Sequence, residues 1–390
     1  MKWDPKTAIS HGQQALELAR EAGLKELEAC SLFVLGQAYR FAGRWDECVA
    51  HSSRAAVLYR ALGDEPTESG PLATQFIWVG APPSKQLANR AMESFCSTLV
   101  AIGEINRGSP GTAITAARHA LGIGREIGNE WAQVNAMVLP AYGLWETGEY
   151  AEALRLARSG LERSRKVRHP GAILMLAVLD STLRTTLGLG VPHAALPEAL
   201  ALADATLPRV WKTTAVSKLC ANRQMVGDQE AAQRYALEAV AIRAAAPARL
   251  IFFDFERDHE IDALLGGEEE RLAREDARRL GKGVGNNRRF RLIHLRMFAA
   301  LDRWDGYTEG AIVCLCEAKR LAEGMGLPGE LWQIEALIGE LYEESGDEER
   351  AGRAFLRAAQ TLRSLASRID DPALRTGFLG TPQVRRVLER

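Results

Sequence analysis

The chain has 390 residues, of which 47% are hydrophobic and 25% charged, and its net charge is −1. This composition is typical of a folded protein, and the near-zero charge provides no overall field to attract nucleic acid or an anionic membrane. The first ten residues lack the apolar core of a signal peptide, and the longest apolar run, Ala172 to Leu179, is too short to span a bilayer. Six scattered cysteines form no disulfide framework, so we expect a reduced, cytoplasmic location.

Glycines that punctuate amphipathic helices recur along the whole chain. They are Gly43, Gly108, Gly148, Gly190, Gly227, Gly267, Gly306 and Gly346. Apart from one step of 65 residues, neighbouring glycines lie 37 to 42 residues apart. A period near forty, with a helix on each side of every glycine, predicts a stacked array of helical hairpins.

The two ends of the array depart from the repeat. The first segment, Pro5 to Leu24, resembles the second helix of a hairpin whose first helix is absent, so we expect its apolar flank (Ala8, Ala15 and Leu16) to be uncovered. At the other end, residues 369–390 predict a short acidic turn and a last helix that covers the final repeat.

One stretch interrupts the rhythm between Asp64 and Ala88. Four prolines argue against a continuous helix, yet Phe76 to Val79 is too apolar to stay in water. Two interpretations remain open: a segment packed on the array to fill an irregular joint, or a loop that touches a ligand. The predicted organisation is therefore helical units over 1–64, an insertion over 65–88, a solenoid over 89–367 and a capping segment over 368–390.

Residues at matching places in the repeats carry a family resemblance. Leu35-Gly36-x-x-Tyr39 precedes Gly43, and Ile338-Gly339-x-x-Tyr342 precedes Gly346. Together with the run from Gly148 to Ala153, they resemble tetratricopeptide repeats (TPRs) of a long-period type. Such repeats form the arms of bacterial signal-transduction ATPases and maltose-activator-like transcription regulators. The resemblance implies an all-α, right-handed superhelix of about eight hairpins with a terminal capping helix.

Candidate chemical motifs are weak. The stretch Gly281 to Gly285 follows a charged helix and lacks the Lys-Ser/Thr ending of a phosphate-binding loop. Acidic residues crowd the segment from Asp254 to Asp262, which we interpret as a solvated helix face because no second histidine stands beside His259 to grip zinc. Cys314-x-Cys316 has no partner pair for a metal. We therefore predict no catalytic residues, no cofactor and no metal site.

A basic stretch runs from Arg278 to Arg296 without an acidic residue. It can contact nucleic acid or balance the acidic stretch from Glu268 to Asp276, and the whole-chain charge favours the second interpretation.

The first hypothesis for function is a non-enzymatic scaffold or sensor arm that binds a protein or peptide on its concave face, in bacterial signal transduction or transcription regulation. Helix spacing predicts twelve lining residues: Phe33, Gln37, Arg40, Asn135, Tyr142, Trp145, Asp180, Arg184, Arg257, Arg296, Arg303 and Trp304. Aromatic residues and arginines are typical of binding hot spots, although Trp145 and Trp304 fit interhelix packing equally well.

Because five of the twelve are arginines and one is an acid, we expect an acidic peptide or protein partner, with most carboxylates on the outer face or in the turns. A competing interpretation is that these arginines already pair with acids of adjoining repeats. An ATPase or DNA-binding domain encoded nearby is a further expected partner, and nucleic acid and membranes are not. The alternative function is a small-molecule effector sensor within a larger ATPase or cyclase-linked regulator.

Overall fold

The computed structural model describes residues 4–64, 85–190, 195–207, 209–245 and 250–390. Every regular element within these ranges is a helix. The helices are α1 (Pro5–Glu21), α2 (Lys25–Phe41), α3 (Trp45–Asp64), α4 (Lys85–Arg107), α5 (Pro110–Glu126), α6 (Glu130–Glu146), α7 (Tyr150–Lys166), α8 (Pro170–Thr186), α9 (Ala195–Thr206), α10 (Arg209–Met225), α11 (Gln229–Ala245), α12 (Arg257–Gly266), α13 (Glu270–Val284), α14 (Arg288–Trp304), α15 (Thr308–Met325), α16 (Pro328–Glu344), α17 (Glu348–Ser367), α18 (Pro372–Gly380) and α19 (Pro382–Leu388).

Helices α2 to α17 pair into eight hairpins, preceded by α1 and followed by α18 and α19. The predicted right-handed, TPR-like α-α superhelix is confirmed. None of the helices in the described ranges has an 18-residue window apolar enough to cross a membrane. Residues 65–84, which include Phe76 to Val79, lie outside the described residues, and α4 begins at Lys85.

The same hydrogen-bonded turn closes most helices. After α2, the N–H of Gly43 donates to the carbonyl of Arg40 (3.1 Å) and the N–H of Arg44 donates to that of Tyr39 (2.9 Å), which is a Schellman motif. Gly43 has φ +70°, in the left-handed region where glycine costs least.

Two turns use a different residue from the one the sequence pattern predicts. After α8, the equivalent position is Gly188 and not Gly190, since the N–H of Gly188 donates to Thr185 and that of Leu189 to Arg184. After α12, Glu268 adopts the left-handed conformation (φ 63°) in place of Gly267. Three further turns, at Gly23, Gly128 and Gly326, have the same geometry and precede the first helix of a hairpin, and the repeat pattern does not predict them.

The two helices of a hairpin differ in how much of their surface is buried. The first helices of the central hairpins are buried on nearly all sides, as in α8, where 13 of 17 residues are buried, while α14 near the C-terminal end buries 8 of 17. The second helix buries one stripe only, as in α7, where 8 of 17 are buried. The first helices therefore form the inner layer of the superhelix and the second helices its outer surface.

The second half of the superhelix stacks on the first half. The turn glycines of the first half lie against residues more than 180 positions later: Gly43 against Leu250, Gly108 against Met325, Gly148 against Leu365 and Gly188 against Gly377. Asn106 joins the two halves by hydrogen bonds. Its Oδ1 accepts from the N–H of Phe253 and its carbonyl from Nδ2 of Asn287, both at 3.0 Å.

A non-helical segment, residues 250–256, fills the space between the two halves. Here the sequence-based interpretation of a solvated helix face is wrong, because Asp254 and Glu256 precede α12 and both are buried. Phe253 has φ 55°, which is rare for an aromatic residue, and its ring stacks on Tyr142 with centroids 4.8 Å apart.

The ends also differ from expectation. Leu16 on α1 is buried against α2, so only part of the predicted flank is uncovered: Ala15 is exposed, Ala8 is half-buried, and Leu18 is 65% exposed. At the C-terminus, two short helices replace the single one expected. They do more than cover the last repeat, since Gly377 on α18 touches the backbone at Leu187, beyond the end of α8.

Candidate ligand cavity inside the superhelix

A cavity lies where the inner helices of the two halves meet, and we call it the central cavity. The space open to the centre of a water molecule is about 80 Å³, which is room for several waters or one side chain of a ligand. Its walls come from the C-terminal ends of α6 and α8, from α10, from the start of α12, from α14 and α16, and from α18 and α19. The lining residues on which the argument depends are Trp145, Thr186, Lys218, Glu256, Asp258 and Arg296, with Glu330 and Trp332 from α16.

Helix ends explain why charged residues gather there. At the cavity, α6 and α8 present their C-terminal ends, and α12 and α16 their N-terminal ends. Asp258 and Glu330 lie in the first turns of α12 and α16, where the helix dipole favours a carboxylate. Glu146 lies at the opposite, unfavourable end of α6, and Arg289 compensates for it at 3.2 Å.

Seven charged residues at this junction form the axial cluster: Glu146, Lys218, Glu256, Asp258, Arg289, Arg296 and Glu330. Arg289 pairs with both Glu146 (3.2 Å) and Glu330 (2.6 Å). Arg296 pairs with Asp258 (2.6 Å) and with Glu330. Lys218 pairs with Glu256 and lies 4.0 Å from the centroid of the Trp145 ring.

Burial and pairing shift the acids of this cluster in opposite directions. Burial favours the neutral form of Glu330, but Arg289 and Arg296 outweigh it and lower the pKa to about 2. Burial raises the pKa of Glu256 to about 7, and the ammonium group of Lys218 offsets only part of that effect. Burial likewise raises the pKa of Glu146 despite Arg289.

A second buried network lies beside the first. Arg243 contacts Asp254 (3.2 Å), Asp276 (3.0 Å) and Glu260, and Arg257 donates to Asp254 at 2.8 Å. These groups satisfy one another within the described part of the fold and do not line the central cavity. They hold the segment at residues 250–256 against α11 and α13.

The structure brings two of the twelve predicted lining residues, Trp145 and Arg296, to the cavity. Phe33 packs on Phe95 and Tyr142 on Phe253, both in the core, while Trp304 is 52% exposed. Asn135 is half-buried on α6, and Gln37 accepts from Arg40 at 3.3 Å.

Four of the five predicted arginines form ion pairs with carboxylates. Arg184 pairs with Asp180 (2.8 Å), which also pairs with Arg158, and Arg303 pairs with Glu340 (3.1 Å) and Glu344. Arg257 and Arg296 belong to the two networks above. The competing interpretation, in which the arginines pair with acids of adjoining repeats, therefore fits Arg296 and Arg303, whereas Arg184 and Arg257 pair with acids three or four residues away in the chain. The expectation that acids lie outside is wrong for the four carboxylates of the axial cluster.

Arg40 differs from the other four. It is buried and forms no ion pair with any described residue. Its guanidinium lies 4.9 Å from the centroid of the Phe252 ring and 5.2 Å from that of Trp211. Burial lowers its pKa to about 10.

The acidic and basic stretches are visible in the sequence, but their ion-pair partners are not. Arg289 and Arg296 of the basic stretch pair with Glu146, Asp258 and Glu330 from other repeats, and not with the acidic stretch next to them. A usable signal was Lys218, a charged residue among the buried positions of α10. In the described part of the chain, no group of three or more His, Cys, Asp or Glu residues is arranged to hold a metal ion.

No family model matches the chain, and no curated protein matches it in sequence. Solved structures are similar in fold. One is the crystal structure of a Rap protein complexed with Competence and Sporulation Factor, with TM-score 0.58 and 12% identity over 93% of this chain and 99% of that chain. Another is the apo form of the quorum sensor NprR from B. thuringiensis, with TM-score 0.50 and 12% identity over 91% of this chain and 98% of that chain. At this identity the likeness establishes a TPR-like helical repeat fold.

Proposed function

We propose that the chain is a non-enzymatic signalling module that binds a peptide by taking one side chain or one end of the peptide into the central cavity. The observation that carries the proposal is the position of this cavity. Its walls come from six inner helices and from α18 and α19, so that one occupant touches both halves of the superhelix. Binding can therefore alter how the halves stack, which is what a sensor requires.

Two similar folds support a role in signalling. A Rap protein has been crystallised with Competence and Sporulation Factor, and NprR is a quorum sensor. The proposal also includes a bacterial origin, a cytoplasmic location and a role in transcription regulation, each by analogy with these two folds.

The groups at the cavity support binding without catalysis. The charged lining residues hold one another in ion pairs. The hydroxyl groups of Thr182 and Thr381 donate to backbone carbonyls, so neither is held by a base as an activated nucleophile would be.

A second candidate is a sensor for a small-molecule effector, as in the arms of larger regulatory ATPases that the repeats resemble. The concave shape and modest volume of the cavity favour it, since small ligands bind in concave sites that bury most of their surface.

Thermal unfolding of the purified chain, measured with a library of soluble hexapeptides and with a metabolite panel, separates the two. A specific ligand raises the melting temperature by mass action. Thr186→Trp, which narrows the cavity at the end of α8, should abolish that rise. The matched control Thr115→Trp, on the exposed face of α5, should preserve it. Stabilisation that survives Thr186→Trp would place the ligand elsewhere and refute the proposal.

A further inference from the structure

We infer that the central cavity receives a cationic group of its ligand, the guanidinium or protonated amine of a peptide, at the carboxylates of Glu256 and Asp258. This inference rests on the proposed function and reverses the acidic partner that the sequence predicts. The first observation is that carboxylates outnumber cations in the axial cluster. The axial cluster holds four carboxylates, on Glu146, Glu256, Asp258 and Glu330, against three cations, on Lys218, Arg289 and Arg296. It is therefore short of one positive charge when every acid is ionised.

The second observation is hydrogen bonding. Asp258 uses Oδ2 for Arg296, and its buried Oδ1 has no hydrogen-bond partner among the described residues. Glu256 uses Oε1 for Lys218, and its buried Oε2 has none either. Asp258 is 5% exposed and Glu256 8% exposed, and both line the cavity. A buried carboxylate oxygen left without a donor costs free energy, and a ligand N–H recovers it.

Unpaired hydrogen-bond donors are also present, but they favour an anionic ligand group less strongly than the unpaired carboxylate oxygens favour a cationic one. Nε of Arg296 and both Nε and Nη1 of Arg289 have no hydrogen-bond acceptor in the described structure, although Nε of Arg289 lies 3.2 Å from the carboxylate of Glu146. Each of these arginines, however, already holds two carboxylates, while Glu256 and Asp258 each hold one cation. The residual demand is therefore for positive charge.

The walls suit such a group. Trp145, Trp332 and Phe378 line the cavity, and Lys218 already places its ammonium group over the Trp145 ring. Aromatic faces attract cations, most strongly where water is excluded.

The protonation of Glu256 makes ligand binding depend on pH, and this dependence can be measured on the unaltered chain. Glu256 has a pKa of about 7, and it faces Lys218 from α10, Glu146 and Tyr142 from α6, and Arg289 from α14. A cationic ligand favours the ionised form of Glu256, so binding near pH 7 should release protons, and affinity should rise from pH 6 to pH 8.

The test measures the binding of four short peptides by isothermal titration calorimetry. Acetyl-Gly-Arg-Gly-amide should bind about tenfold or more tightly than acetyl-Gly-citrulline-Gly-amide, which replaces the guanidinium with a neutral urea of the same shape. Acetyl-Gly-Glu-Gly-amide should not bind. Gly-Gly-Gly-amide, with a free amino terminus, shows whether an amine serves as well.

Glu256→Gln and Asp258→Asn should each lower the affinity for the arginine peptide about tenfold, because each substitution removes the negative charge but keeps the shape of the side chain. Glu275→Gln, at a carboxylate 70% exposed on α13, is the matched control and should change nothing. Circular dichroism checks that the variants fold, and the pH dependence of the unaltered chain tests the inference if they do not.

Three outcomes overturn the inference: equal binding of the arginine and citrulline peptides, preference for the glutamate peptide, or affinity that falls as pH rises. A library peptide that binds, loses its effect with Thr186→Trp and carries no cation overturns the inference but leaves the proposed function standing. Absence of binding by every peptide and metabolite overturns both.

Discussion

Arg289 is the residue on which the axial cluster depends most. It is fully buried, bridges Glu146 on α6 and Glu330 on α16, and packs its guanidinium 4.1 Å from the centroid of the Phe255 ring. Removing it would leave the buried carboxylate of Glu146 without its ion-pair partner and Glu330 with Arg296 alone. We expect Arg289→Met to lower the free energy of unfolding by about 3–5 kcal/mol, measured by urea denaturation.

Arg40 provides the comparison. It is also buried, but its side chain donates a hydrogen bond to Gln37, and none of the ion pairs among the described residues includes it. Burying an uncompensated charge is costly, and its aromatic contacts offset only part of that cost. Arg40→Met should therefore change stability by less than about 1 kcal/mol, in either direction. If Arg40→Met lowers the free energy of unfolding as much as Arg289→Met does, Arg40 has an ion-pair partner as important as those of Arg289.

Glu256 gives a prediction with a defined sign. Its pKa is about 7 in the folded chain against an ordinary 4.5, so between these values the folded state holds a proton that the unfolded state has lost. Stability from this group is present below pH 4.5 and is lost as pH rises to about 7. The stability of the unaltered chain relative to Glu256→Gln should fall by roughly 1 kcal/mol per pH unit between pH 5 and 7.

Above pH 7 the same difference should level off. Taking the difference between two chains cancels the buried histidines, His169 and His259, whose pKa values burial lowers. Urea titrations at pH 5, 6, 7 and 8 suffice. A difference that is flat over this range would mean that Glu256 is ionised throughout.

At the scale of elements, the contact between α8 and α18 can be tested with a matched pair of glycines. Gly188 (φ +65°) and Gly190 (φ +77°) are both left-handed, so alanine costs about 1–2 kcal/mol at either. A methyl group at Gly188 would overlap the carbonyl oxygen of Gly377, whereas at Gly190 no atom of the described chain lies within 4 Å.

We therefore expect Gly188→Ala to loosen α18 and α19, and Gly190→Ala to leave them in place. Hydrogen exchange of residues 372–388 measures this directly. Faster exchange in the first variant alone is the expected result. Equal exchange in both variants would mean that this contact does not hold the C-terminal helices.

At the scale of the whole molecule, stacking of the two halves changes how the chain should unfold. A linear array, in which each unit touches only its neighbours, unfolds with low cooperativity, and the repeat pattern alone predicts that behaviour. Here Asn106 bonds to Phe253 and Asn287, and Arg368 donates to the carbonyl of Thr147 at 3.0 Å.

These contacts link repeats that are distant in sequence, so we expect a single transition. Helix loss by circular dichroism and tryptophan fluorescence should coincide during urea unfolding. Separate transitions would show that the halves unfold independently despite their contacts.

The sequence by itself determined the helices, the hairpins and most of their turns, because these depend on interactions within a few residues. Apolar residues at three- and four-residue steps specify a buried helical face, and Gly43 or Gly346 closes a helix through local hydrogen bonds. Where another residue takes the left-handed position, as Glu268 does, the local pattern misleads by one residue.

Only the tertiary structure decided which charges meet. Glu146 and Arg289 are 143 residues apart and come together because small rotations between successive repeats add up until the second half lies on the first. No local pattern encodes that sum. The sequence therefore showed acids and arginines without their pairing, and the pairing determines both the excess negative charge at the cavity and the cationic ligand that we infer.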